Sequence, residues 1–297
     1  MSTAVGRSPD DRQLDYEVVD VFTTTAFAGN PLAVVLGADD LPTAALQALA
    51  AEFALSETAF PMAADVEGAD YRLRIFTPTT ELPFAGHPSV GAAWVLRRLG
   101  RIGTGRVVQS CGAGLLPLSV GEDAVTVTGG PPDVGTPLDP APWLAATGLT
   151  AEDLAGEVRD ASCGLAFTVL PVRPEALARV RPDVPALRRA VRAEGPYGGL
   201  SVVARVGEGW RCRVFAFAAG VAEDPATGSA ALALGAHLVV TGALPDGGPY
   251  ELVQGVELGR PSLLRGTVEV EHGRPVRATV TGSVVPVAAG RIRVPGA

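Results

Sequence analysis

Tyr71-Arg72-Leu73-Arg74-Ile75-Phe76, followed by His87-Pro88-Ser89-Val90-Gly91-Ala92-Ala93, is echoed downstream by Trp210-Arg211-Cys212-Arg213-Val214-Phe215 and Asp224-Pro225-Ala226-Thr227-Gly228-Ser229-Ala230. In the first pair an aromatic residue opens an alternation of Arg and apolar side chains, the period-two pattern of a half-buried strand. In the second pair Pro, Gly and the final Ala fall in register when His87 is set against Asp224. Two matches in the same order argue for a duplicated unit. The surrounding pattern agrees. The first half reads as strands at 15–24 and 33–36, a helix at 43–54, a strand at 72–77, a helix at 88–96 and strands at 106–111, 115–120 and 124–128. A Pro-, Gly- and Asp-rich stretch, 129–142, reads as a linker. The second half gives a strand at 164–172, a helix at 184–193, strands at 201–206 and 211–217, and a helix at 225–240 before the closing strands.

The two matched helices carry almost only apolar or small residues around their whole circumference. A helix apolar on every side must be buried on every side, and a curved sheet wrapped round it accomplishes that. The expected fold is therefore α+β: two pseudo-symmetric lobes, each a mostly antiparallel sheet or barrel around a central helix. The first lobe spans 15–129, completed by a C-terminal strand near 282–295, and the second spans 130–281. A layered α/β sheet with two well-buried helices is the competing arrangement.

Composition narrows the function. The formal charge of −8 and the lack of any basic run argue against nucleic acid or an anionic membrane as the main partner. The N-terminal residues are polar, and apolar runs break well before bilayer-spanning length, so a cytoplasmic protein is expected. All 24 basic residues are Arg; without Lys there is no Schiff-base lysine, lysine general base or Walker lysine. The three His and three Cys lie far apart in sequence, so neither a metal site nor a disulfide framework is expected. No G-x-G-x-x-G opens a helix after a strand.

In each repeat the residue before Pro falls where a helix N-cap belongs, because Pro is tolerated in the first turn. His87 and Asp224 are accordingly expected as caps, with Ser89 and Gly91 on one first turn and Thr227 and Gly228 on the other. Backbone N–H groups there, at the positive ends of two helix dipoles, could hold a substrate carboxylate. Taken alone, Asp224 reads as an ordinary cap and His87 as a structural residue. At related helix ends facing one cleft they become an acid/base pair. Glu57 by itself reads as a solvated loop acid.

Asp20-Val21-Phe22, Phe27-Ala28-Gly29-Asn30-Pro31, Leu55-Ser56-Glu57-Thr58-Ala59-Phe60, Phe84-Ala85-Gly86-His87-Pro88, Glu223-Asp224-Pro225-Ala226-Thr227-Gly228-Ser229-Ala230, Gln254-Gly255 and Gly259-Arg260-Pro261-Ser262 occur in this order over nearly the whole chain. Together they resemble the PhzF-like family of phenazine-biosynthesis proteins. The resemblance implies a diaminopimelate-epimerase-like fold, usually a homodimer, and Glu57 as principal acid/base with His87, Asp224 and Ser229 in the active site. It adds Asn30, Gly86 and Gln254 to the substrate-binding set. Ser89 stands where Thr is more familiar, which keeps the hydroxyl. Related epimerases carry a catalytic Cys at each helix start; His87 and Asp224 at the positions matched here disfavour two-thiol racemisation. The implied activity is a cofactor-independent isomerisation that shifts a proton on a small unsaturated carboxylic acid in secondary metabolism. A thiol-free amino-acid racemase and a catalytically silent binding protein are the alternatives.

Overall fold

A computed structural model describes residues 12–191, 197–217 and 221–295. The first half contributes β1 (Gln13–Val21), β2 (Asn30–Val35), α1 (Thr43–Phe53), β3 (Glu57–Met62), β4 (Tyr71–Phe76), the short β5 (Glu81–Leu82), α2 (Gly86–Arg98), β6 (Gly105–Cys111), β7 (Gly114–Val120) and β8 (Ala124–Thr128). The second half adds β9 (Asp133–Val134), α3 (Ala141–Thr147), β10 (Arg159–Ser162), β11 (Ala166–Pro171), α4 (Val184–Ala190), β12 (Tyr197–Val206), β13 (Gly209–Phe215), α5 (Gly228–Val240), β14 (Gly248–Gln254), β15 (Ser262–Glu271) and β16 (Arg274–Arg293).

One continuous sheet runs β1-β2-β3-β4-β6-β7-β8-β16-β15-β14-β13-β12-β11-β10-β9, and an added β1–β16 pairing closes its first eight strands into a barrel. The 20-residue β16 serves both lobes. Its N-terminal part pairs with β15, from Arg274 opposite Glu271 to Thr281 opposite Arg265, and its C-terminal part pairs with β1 from Val284 to Arg293. The residues expected to link the lobes, 129–142, include β9, which pairs with β10 at the sheet edge.

Residues 87–96 of α2 are all buried, as are 230–239 of α5, so each helix is enclosed around its full circumference. The layered alternative is thereby excluded. Outside the sheet, Leu46 and Leu49 of α1 cover Phe60 and Phe76, while Trp143 and Leu187, from α3 and α4, cover Leu200, Val202 and Phe215. Strands covered on both faces need apolar residues on both, which explains their weak alternation.

The duplication is real in the strands. β4 lies antiparallel to β3 and parallel to β6, and β13 lies antiparallel to β12 and parallel to β14. The helix register differs from the sequence match. Gly86 and Gly228 are the corresponding first residues of two 13-residue helices, so His87 corresponds to Ser229 and not to Asp224. The caps are Ala85 and Thr227. Asp224 lies before its helix because its N–H donates to Val214 O on β13 while Gln254 Oε1 accepts the Thr227 N–H. These bonds hold residues 224–227 outside the helix.

Gly91 shows how tightly α2 is enclosed. A β-carbon there would lie 2.5 Å from Leu32 Cδ2 and 2.9 Å from Val21 Cγ2. Gly91→Val should lower the unfolding free energy by about 1–3 kcal/mol through overpacking, outweighing the roughly few-tenths gain in helix propensity. Urea denaturation monitored by circular dichroism measures this; undiminished stability would mean that the strands do not approach α2 so closely.

Candidate active site

The N-termini of α2 and α5 meet at the seam between the lobes. A β-carbon on Gly86 would stand 3.5 Å from Gly228 Cα, in ordinary van der Waals contact, so the two helix starts abut. A cleft of about 280 Å³ opens there, lined by Glu57, Gly86, His87, Asp224, Thr227, Gly228 and Ser229, with apolar walls from Pro83, Phe84, Leu165, Phe167 and Val221. The first N–H groups of a helix have no intrahelical acceptor. Both sets point to the same seam.

Glu57 opens β3 and is held in place by the parallel β2, opposite Leu32. Its Oε2 stands 3.5 Å from His87 Nε2, and neither atom has another partner although both are buried. Asp224 Oδ1 accepts from Asn30 Nδ2 at 2.8 Å, and Oδ2 accepts from the Thr227 hydroxyl at 2.5 Å. Its neighbour Glu223 is spent on a bidentate pair with Arg213 at 2.8 and 2.7 Å. Among the described residues no Arg lines the cleft beside Asp224 and Glu57.

Electrostatics follow from that burial. Desolvation raises the Glu57 carboxyl above its ordinary range, opposed by the Ser56 hydrogen bond. Burial, then the Glu57 charge, lifts Asp224 to about 6 against the pull of His87, Thr227 and Asn30. Burial holds His87 down to about 4 despite Asp224. Two carboxyls reluctant to ionise together and a neutral imidazole thus share one small cavity, a combination that weakens the fold and suits proton transfer.

The other expected residues separate into groups. Asn30 and Gln254 are fully buried behind the lining; Gln254 Nε2 donates to Asp224 O at 2.7 Å and Thr227 Oγ1 at 2.9 Å. They brace the site from behind. Ser89 and Gly91 do not reach the cleft: the Ser89 hydroxyl donates to Ala85 O and accepts from Gln109, and Gly91 packs on β1 and β2. A helix turns its side chains through successive faces, and only the first two residues of α2 look into the seam. Of the thiols, Cys163 is pushed up to about 12 by burial, Cys212 is raised likewise, and none lines the cleft. Among the described residues no group of three His, Cys, Asp or Glu could hold a metal ion.

Sequence reasoning missed Ser56, Phe167 and Tyr197. One signal was available: a β-carbon on Gly198 would strike the Phe167 ring at 2.3 Å, so the Gly-Gly pair after Tyr197 marks a close approach. A larger cavity of about 660 Å³ lies beside the C-terminal half of α5, but its Glu157 and Arg159 pair with each other at 2.6 Å.

An arrangement of this kind can move protons, the chemistry of an acid–base enzyme. The chain belongs to the PhzC-PhzF family of phenazine biosynthesis-like proteins, whose sequence profile matches residues 19–290, and it is an isomerase. It is 35% identical over 283 residues to trans-2,3-dihydro-3-hydroxyanthranilate isomerase of Pseudomonas fluorescens, covering 94% of this chain and 99% of that one. A predicted epimerase from Pseudomonas aeruginosa of known structure is 34% identical and superposes with a TM-score of 0.76 over 94% of this chain and 99% of that chain. A Bacillus anthracis PhzF-family protein shares the fold at 24% identity, with a TM-score of 0.85 over 95% of this chain and 99% of that chain. Among the described residues no helix is long and apolar enough to cross a membrane.

Asp224 binds its proton more tightly in the folded chain, about 6 against 3.8, so its contribution to stability is full below about pH 4 and is lost as pH rises through 6. His87 runs the other way, gaining stability as pH rises from about 4 to 6.5. Asp224→Asn removes the first contribution and, because the Asp224 charge raises His87, does not diminish the second. Its unfolding free energy relative to wild type should therefore improve by about 2–4 kcal/mol between pH 4 and 7 in urea titrations. A pH-independent difference would show that Asp224 does not titrate in this window.

Proposed function

We propose that this isomerase shifts a proton on a small unsaturated carboxylic acid without a cofactor. The facing Glu57 Oε2 and His87 Nε2 carry the reading, because neither buried atom has another partner among the described residues and both are available to a bound molecule. The substrate carboxylate rests on the N–H groups of α2 and α5, where the positive ends of two helix dipoles favour an anion. The apolar walls hold its carbon skeleton. Glu57 removes a carbon-bound proton and Asp224 is the second carboxyl available to return one. Raised carboxyl affinities bring both groups nearer to what proton abstraction from carbon needs. Ser229, the counterpart of His87 on α5, donates to the substrate.

Glu57→Gln keeps shape and hydrogen bonding but loses the accepting charge. Turnover of trans-2,3-dihydro-3-hydroxyanthranilate, or of another unsaturated acid from a panel, should fall about 10²–10⁴-fold with binding changed only a few-fold. In deuterium oxide, label should enter the carbon that receives the migrating proton. Label confined to an inverted α-carbon would favour the thiol-free epimerase instead, and unchanged turnover would remove Glu57 from the reaction.

A further inference from the structure

Asn30 sits at the start of β2, fully buried, with its amide orientation fixed by three neighbours. Its Nδ2 stands 2.8 Å from Asp224 Oδ1 and 2.9 Å from Ala226 O, both acceptors, while its Oδ1 stands 3.2 Å from the Ser56 hydroxyl, which donates. Turning the amide over would set its oxygen against two acceptors. The amide thus presents its two hydrogens, and no acceptor, on this side. His87 Nδ1 lies 3.3 Å from the same nitrogen. An amide nitrogen donates and does not accept, so Nδ1 must face it with a lone pair.

We infer that Asn30 is a positioning residue that locks His87 in the neutral tautomer with its proton on Nε2, aimed at Glu57. Burial supports neutrality, holding the imidazole down to about 4. The consequence bears on mechanism and rests on the acid–base reading above. A neutral imidazole that donates from Nε2 and cannot take a proton on Nδ1 does not relay protons through its ring. His87 then serves as a fixed hydrogen-bond donor to Glu57 or to the substrate, and proton traffic falls to the two carboxyls. The same Asn30 nitrogen orients Asp224, so one side chain sets the roles of both partners.

The whole chain labelled with ¹⁵N-histidine tests this without any substrate. Only His87, His237 and His272 contribute signals, and the His87→Gln spectrum identifies the first. At neutral pH His87 should show an unprotonated Nδ1 and a protonated Nε2; a protonated Nδ1, or an imidazolium, overturns the proposal. Asn30→Asp replaces the donor with oxygen and should move the proton to Nδ1 or charge the ring, with kcat falling about ten-fold or more and KM changing less. A folded Asn30→Asp protein that retains the wild-type tautomer also overturns it. Should that variant not fold, the wild-type spectrum still decides the tautomer, and Asn30→Ser, which removes the amide nitrogen at lower charge cost, decides whether Asn30 sets it by the same criterion. Failure here leaves the isomerase reading standing, whereas insensitivity to Glu57→Gln would defeat that reading and leave the tautomer untouched.

Discussion

The contact between Gly86 and Gly228 constrains the rest of the molecule. The two helix starts abut there, and each helix can be driven so deep only if a sheet surrounds it. Enclosure in turn leaves few polar side chains on the helix flanks, Ser89 and His237 among them, and makes the termini the polar ends of two largely apolar cylinders. What chemistry the fold offers must gather at that seam. The buried positions of His87 and Asp224 are consequences of this geometry, and so is the rise in the carboxyl affinities.

Much of this was legible in the chain. The all-round apolar character of both helices sufficed to predict a sheet wrapped about each, and the Arg-apolar alternation located equivalent strands. The helix register was misread because Pro and Gly recur at the same spacing in His87–Gly91 and Asp224–Gly228, and that coincidence looked stronger than Gly86-His87 against Gly228-Ser229, which share one residue. The physical determinant is the meeting of the two helix starts. It acts across a long-range approach that local spacing does not encode, and β13 is followed by three more residues before its helix than β4 is.

The site divides along the same line. Glu57 carried no signal of its own and emerged only through its S-E-T-x-F setting, because burial of a strand's first residue depends on what crosses above it. Asn30 and Gln254 were named as binding residues, yet they lie behind the lining and act on Asp224 and Thr227. The distinction between touching a ligand and holding the residue that touches it is a matter of depth, and depth appears only once the lobes are packed.

The support for Asn30 extends across the lobe boundary. Arg260, on the loop before β15, donates to Gly29 O at 2.8 Å, to Ala28 O at 2.9 Å and to Asp20 Oδ1 at 2.5 Å, while the Gly29 N–H donates to Pro261 O. Asp20 Oδ2 meanwhile accepts the Phe27 N–H at 2.6 Å, and the Phe22 carbonyl accepts the Leu263 N–H at 2.7 Å. Burial raises Asp20 even beside this arginine, so the pair is costly to desolvate and serves geometry more than net stability. The bonds fix the backbone immediately before Asn30 to the second lobe, from which Asp224 comes. Asn30 Nδ2 and Asp224 Oδ1 therefore hold their spacing through a clamp anchored on both lobes, and a change in lobe orientation would be felt first at the His87 ring between them and Glu57.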